Sequence, residues 1–312
     1  MLKAKQVLLD SLFVSAIGIY AGRLAQLVRA RARQARGRWF KSTTAHFFIG
    51  WTLAMGILVG TSGFQFPDWV DFFYPSHLPR KEWLSYYSAR FDTLEVNFTF
   101  YSMPGERGLA GMVESTPEGF LFCVKLNRCF THDMGEVLDT DAVGRFKGAL
   151  RPMIESGKLG CLLAQFPNSF RDRPQNRRYI AQLRTAFAGV PFAVEFRHIS
   201  WQKEEVFDHL AMLDAAYVCV DLPRILGLPD RRVRYTADPA YVRLHSRNAR
   251  NWFKDEKLRY DYCYNEAELE EWVEKVRELA GRARRVFVFF NNCYAASAVR
   301  NALTFRRLLG LD

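Results

Sequence analysis

From Met55 onward the chain alternates short β-rich apolar runs with amphipathic segments of helical length, and few folds accept that alternation. Eight runs read as strands, at 57–60, 93–97, 120–125, 159–166, 192–197, 216–221, 241–245 and 285–291. Each is nearly continuously apolar, as a parallel strand covered on both faces must be. Helices are predicted at 78–91, 105–115, 142–156, 175–188, 204–214, 266–281 and 298–309. The first has Pro79 near its opening turn and Trp83, Leu84, Tyr87 and Phe91 on one face. Gly157, Gly189 and Gly281 stand where helix C-caps are expected. The segment 222–239, with Pro223, Pro229 and Pro239, has weak periodicity and is predicted to be a long loop over the mouth, as is 246–264. Eight βα units in the 258 residues from Met55 predict an α/β fold, a single (β/α)8 barrel of the TIM type over 55–312. An open doubly wound sheet is the alternative, but neither GxGxxG nor GxxxxGK[ST] is present to support it.

The net charge of +11 raises the question of a polyanionic partner. Residues 1–54 hold nine Lys and Arg against Asp10 alone, so this leader carries +8 and the remaining chain only +3. Any argument for a nucleic-acid partner therefore rests on the leader. Its apolar stretch 7–21 follows Lys3 and Lys5 as the core of a secretory signal follows its basic end, but it is short for a membrane span of about 20 residues. Its segments RLAQLVRA and GRWFKSTTAHFF resemble the peptide produced when a transfer-RNA gene is translated in frame, which predicts Met55 as the natural start. A helical or disordered basic extension is the other reading. The six cysteines are scattered, with no CxxC pair and no zinc-finger spacing, which fits a reduced, cytoplasmic setting.

In a barrel of this kind the chemistry sits at the carboxyl ends of the strands. Taken in order, those ends carry Thr61 and Ser62, Glu95 and Asn97, Lys125, Gln165, Glu195 with Arg197 and His198, Asp221, Arg243 with His245, and Asn291 with Asn292. Polar groups in otherwise apolar segments cost free energy unless paired, so a converging ring is expected. Glu195, Lys125, Asp221 and His245 are the candidate acid–base groups. Asn97, Arg197, Gln165, Arg243, Asn291, Asn292, Tyr101 and Trp201 are the candidate ligand-binding groups. Each also has a plain structural reading: Glu195 and Arg197 alternate along one strand and suit an ion pair, and Lys125 ends the run FLFCVK, from which it can reach water. Glu95, Glu195, Asp221 and His245 include oxygen and nitrogen donors for a divalent metal, but the pattern is incomplete because the last strand ends in two asparagines. No organic cofactor is predicted.

Seven segments carry a family resemblance: GTSGFQFPDWVDFFYP (60–75), EVNFTFY (95–101), TPEGFLFCVK (116–125), LLAQFPNSF (162–170), AVEFRHISW (193–201), YVRLHS (241–246) and FFNNCYAASAVRNA (289–302). In this order they resemble the domain-of-unknown-function family 72, the YecE-like proteins, over about 57–309. The resemblance implies a (β/α)8 barrel with a polar cavity built from these motifs, and implies no particular reaction. The chain departs from the pattern at Phe64, where Trp is common, at Ser246, where Gly often follows the His, and at Ala295, Ala296 and Ser297, in a turn that usually contains Gly.

The expected function is an enzyme of hydrolase, lyase or isomerase type. It would act by acid–base chemistry on a small polar or anionic molecule, sugar-like or phosphorylated. Trp69, Tyr74, Tyr101 and Trp201 are candidates to stack on such a ligand. Two other classes remain: a nucleic-acid-linked protein using the leader, 171–178 and 231–234 for phosphate contacts, and a ligand sensor that binds in the same pocket without turnover.

Overall fold

The eight apolar runs are strands. In the structure, a computed structural model that describes residues 56–135, 137–255 and 258–311, they are β1 Ile57–Thr61, β2 Thr93–Val96, β3 Leu121–Lys125, β4 Leu159–Gln165, β5 Phe192–Glu195, β6 Ala216–Asp221, β7 Ala240–Leu244 and β8 Val286–Phe290. The leader 1–54, with its signal-peptide, basic-tail and mistranslation readings, lies outside the described residues. All neighbouring strands pair in parallel, and the sheet runs β1-β8-β7-β6-β5-β4-β3-β2. The seam between β1 and β2 is closed by a lone bridge, Ser62 to Glu95, and by Gly63 N–H donating to the Glu95 carbonyl at 2.9 Å. The Tyr87 hydroxyl stitches the same seam. It accepts from Thr61 N–H at 2.9 Å and donates to the Thr93 carbonyl at 3.2 Å. The (β/α)8 architecture is thus the one the alternation predicts, and the open doubly wound sheet is set aside.

The helices between the strands are α1 Trp83–Ser88, α2 Phe98–Tyr101, α3 Glu106–Glu114, α4 Thr140–Glu155, α5 Pro174–Ala186, α6 Glu204–Met212, α7 Glu266–Ala280 and α8 Ser297–Leu309. Only the four-residue α2 was not anticipated, because its FTFY sequence is too short to show a helical period. The predicted helix 78–91 begins instead as a 3-10 turn, Arg80–Glu82, since Pro79 is extended and offers no side-chain cap. Stronger stops and starts come from side chains: Asp139 accepts from Ala142 N–H ahead of α4, and Asn265 forms a reciprocal capping box with Glu268 at α7. Gly157 and Gly189 take left-handed backbone just past α4 and α5, whereas Gly281 keeps a helical φ of −68°. Between β6 and β7 no helix intervenes, so 222–239 is the predicted long loop, and 246–264 holds only the short turn Leu258–Tyr260 in its described part.

Strand side chains alternate between two layers. Val59, Leu94, Phe122, Val124, Leu162, Val194, Tyr217, Cys219, Val242, Val288 and Phe290 belong to the core packed against the helices. Leu121, Cys123, Cys161, Leu163, Ala193, Val218, Val220, Tyr241, Phe287 and Phe289 fill the barrel interior. The interior is solid at its lower end. What stands above it, at the strand ends, is set by the same parity.

Candidate functional site

Carrying the interior parity two or four residues further along the strands brings Lys125, Gln165, Glu195, Arg197, Arg243, His245 and Asn291 to the top of the barrel, where Glu95 of β2 joins them. At their centre is Arg243, almost fully buried, which donates Nη1 to Glu195 Oε2 at 2.5 Å and Nη2 to Glu95 Oε1 at 2.6 Å. The other oxygen of Glu95 accepts from the Tyr241 hydroxyl at 2.7 Å. Glu195 Oε1 accepts from Arg197 Nε at 2.5 Å and lies 3.2 Å from His245 Nε2. Both carboxylates are wholly buried, and such burial is tolerable only because every oxygen is met by a donor. Burial pushes the Glu195 carboxyl up, but Arg197 and Arg243 beside it pull harder and hold it well below the ordinary carboxylate range. Glu195 is therefore an ionised anchor with no free oxygen.

His245 is equally enclosed. Burial, followed by the Arg197 charge, drives its pKa down to about 3, so the ring is neutral. A neutral ring can donate from Nε2 to Glu195 while Nδ1 accepts from Asn291 Nδ2 at 2.9 Å, which fixes the amide that faces the cavity.

Lys125 behaves differently. Its ammonium donates to Gln165 Oε1 at 2.8 Å and lies 4.1 Å from the centre of the Phe100 ring. Burial, and next the charge of Arg243, lowers its pKa to about 7, and among the described residues no carboxylate lies within ion-pair distance to oppose this. Above it opens a cavity of about 650 Å³, lined by Ser62, Asp68, Asn97, Tyr101, Lys125, Gln165, Arg197, Arg243, Asn291 and Cys293, with aromatic walls from Phe66, Tyr260 and Tyr294. Cys293 is no nucleophile at rest: burial, then Glu95, raises its thiol pKa strongly. The turn beneath it holds Ala295 and Ala296 at φ 47° and 58°, left-handed backbone that Gly adopts without strain. That is where the sequence replaces an expected Gly, and Ala295 N–H is steadied by Asp68 Oδ2 at 2.7 Å.

Eight of the twelve candidate residues come together here, seven in the cavity wall and His245 immediately behind it. Tyr101 is the most exposed of them, at 75%. Three others do not reach the cavity and are corrections. Asp221 has the opposite parity: it turns outward, where Arg247, Arg231 and Trp272 Nε1 surround it, the last at 2.6 Å. Asn292 also points outward and bonds the Tyr262 carbonyl and Asn301. Trp201 is fully buried, stacked on Phe196 at 4.2 Å and bonded to the Phe170 carbonyl. The twelfth, Glu195, joins the cluster but is sealed under the two arginines. Trp69 and Tyr74, proposed as stacking surfaces, are likewise core residues.

Sequence reasoning missed Tyr241, although it shares the parity of Arg243 and His245. His132 and Arg259 also line the cleft, and no sequence signal marks either. The four residues weighed as metal donors are engaged with arginines, Tyr241, Trp272 or Asn291, and among the described residues no three His, Cys, Asp or Glu side chains group as a metal site. In the two basic stretches Arg177, Arg231, Arg232 and Arg234 are tied in ion pairs. Among the described residues no helix is long and apolar enough to cross a membrane.

The family described as "Protein of unknown function DUF72" matches residues 58–312. The chain is similar to the UPF0759 protein YunF of Bacillus subtilis (strain 168), 32% identical over 273 residues that cover 82% of this chain and 95% of that protein. Among solved structures it resembles a DUF72 family protein from Thermotoga maritima MSB8, at 40% identity and a TM-score of 0.75, over 82% of this chain and 99% of the other. A DUF72 family protein from Enterococcus faecalis V583 matches at 26% identity and a TM-score of 0.75, over 82% of this chain and 96% of the other.

Proposed function

Given that this chain belongs to the DUF72 family, we propose that its strand-end cleft binds a small polar anion, sugar-like or phosphorylated, and transforms it by proton transfer through Lys125. The observation that carries this reading is the amine of Lys125, held at the cavity wall by Gln165 with no carboxylate in ion-pair contact among the described residues, where burial lowers its pKa to about 7. A general base is most effective when its pKa lies near the working pH. Arg197 and Arg243 supply positive charge to the ligand or to charge that develops in the reaction, and Asn97 and Asn291 orient its hydroxyls. Glu195 serves by fixing both guanidiniums; its two occupied oxygens and low pKa suit it to neither acid nor base work. Proton abstraction and return of this kind serve lyase, isomerase or hydrolase chemistry without an organic cofactor.

Two opposed pH trends follow. Turnover rises as pH increases through about 7, when Lys125 becomes the free amine, whereas anion affinity weakens over the same interval as its charge disappears. The test is a thermal-stability panel of sugar phosphates, sugar acids and other small polar metabolites against the parent and Lys125→Met. A compound that raises the parent's Tm and leaves the variant's unchanged is expected, and it should be consumed by the parent only. If every compound shifts both proteins alike or neither, the cleft is not a Lys125-dependent ligand site. Tight binding without consumption would identify a sensor instead.

A further inference from the structure

Beside the deep chamber the cleft opens into a second chamber of about 400 Å³, and the two share Tyr101, Lys125, Gln165, Arg197 and Tyr260. Its wall carries Lys125, Arg128, Arg197 and Arg259, and no carboxylate among the described residues. Arg128 is matched at the rim by Asp133 at 2.6 Å, and Arg197 by Glu195. Arg259 is matched by no carboxylate within 4.0 Å among the described residues, and its Nε is shut off from solvent with no acceptor. A guanidinium in the chamber wall with no carboxylate partner leaves its charge to an anion that the protein itself does not supply.

The buried indole of Trp252 sets the geometry. The guanidinium carbons of Arg197 and Arg259 each lie 5.8 Å from its ring centre, so one rigid platform holds both cations at the same chamber. Nη1 of Arg197 makes no hydrogen bond among the described residues. The local field is positive enough to register on His132 in the same wall, whose pKa falls to about 4 through burial and then the charges of Lys125, Arg197 and Arg128.

We propose that this side chamber is a phosphoryl subsite, in which Arg259 and Arg197 clamp a phosphate group while the rest of the ligand reaches the deep chamber. The substrate class is then a small phosphate monoester. A phosphate fits better than a carboxylate because three oxygens can be met from three sides, by Arg259, Arg197 and Lys125. This rests on the Lys125 reading for the reaction but not for the anion contact, and the test separates the two.

Inorganic phosphate is titrated calorimetrically, near pH 6.5, into the parent, Arg259→Met, Arg259→Lys, Lys125→Met and Arg284→Met. Arg284, exposed and far from the cleft lining, controls for loose surface binding. Phosphate should bind the parent and Arg284→Met equally, about tenfold or more weakly to Arg259→Met, and at intermediate strength to Arg259→Lys, which keeps the charge but loses the fork. Without phosphate, Arg259→Lys should stay near the parent's Tm, and Arg259→Met, which gives up the Trp252 contact but no ion pair, should fall by no more than about 5 °C. Equal phosphate affinity in the parent and both Arg259 variants overturns the subsite. If Lys125→Met alone loses phosphate, the anion sits in the deep chamber, so the subsite falls and the proposed function stands. No binding to the parent at tens of millimolar also overturns the subsite and leaves the Lys125 panel to be judged separately.

Discussion

Replacing Arg243 with methionine is expected to destabilise the barrel by about 3–5 kcal/mol, the usual cost of removing one partner from a buried ion cluster. For a domain of this size that is a fall of roughly 10 °C in Tm. The physical reason is that Arg243 is the only cation in ion-pair contact with Glu95 among the described residues and one of two for Glu195, and both carboxylates are completely enclosed. In the variant Glu95 keeps only the Tyr241 hydroxyl, while Glu195 keeps Arg197 and His245. The pH dependence follows from the depressed pKa of Glu195 in the parent. That depression contributes stability above its unfolded pKa of about 4.3, which is lost as pH falls through the folded value. With less positive charge nearby the depression shrinks, so the gap between parent and variant should narrow as the solution is acidified. Urea denaturation at pH 7.5 and at pH 4 measures both effects. In the double variant Arg243→Met, Glu195→Gln the loss should be smaller than the sum of the two single losses, because removal of one partner relieves the other. A loss below about 1 kcal/mol for Arg243→Met would mean the cluster is not dry enough to matter.

Gly60→Ala is expected to cost about 3 kcal/mol or more, at the upper end of overpacking effects. A Cβ at this position would stand 2.3 Å from the Thr93 carbonyl oxygen and 3.1 Å from Thr93 Cγ2. The first obstacle is backbone and cannot rotate away. Strands β1 and β2 would have to part at the one seam that the regular ladder does not close, where the Tyr87 hydroxyl and the Ser62 bridge do the joining. Since Ser62 and Glu95 stand at that bridge, the same strain should reach the cleft and weaken any ligand that contacts Ser62 or Arg243. Denaturation measures the stability loss; a nearly neutral result would show that the seam opens freely.

How much of this was legible from residues alone depends on the physics of each part. Strands and helices announced themselves because both faces of a parallel strand must be apolar and each helix has one buried stripe. The candidate ring was legible as a set of strand ends, but membership in it turns on parity. Asp221 and Asn292 are each one residue out of step with the interior positions Val220 and Asn291, and a one-residue offset sends a side chain to the helix layer. Applying that rule along each strand would have excluded both and found Tyr241. Trp201 shows a different limit. Its position just after β5 is near the mouth in sequence, but its indole has apolar area to bury and takes a place among Phe170 and Phe196. Arg259 and His132 belong to loops, where no periodicity relates sequence position to direction. Partnering was hidden as well: nothing in FLFCVK shows that Lys125 finds an amide instead of a carboxylate, and its near-neutral pKa follows from that and from its burial.

The central claim is that Lys125 presents a free amine to the cleft near neutral pH, and the direct measurement is its titration. Lysine side chains carrying a nitrogen-15 label at Nζ, followed by NMR from pH 5 to pH 11, should give one resonance with a midpoint near 7 that disappears in Lys125→Met, while other lysines titrate in the ordinary range of about 10. If the only resonance missing from the variant titrates near 10, Lys125 is an ordinary cation, and the proton-transfer role assigned to it is wrong.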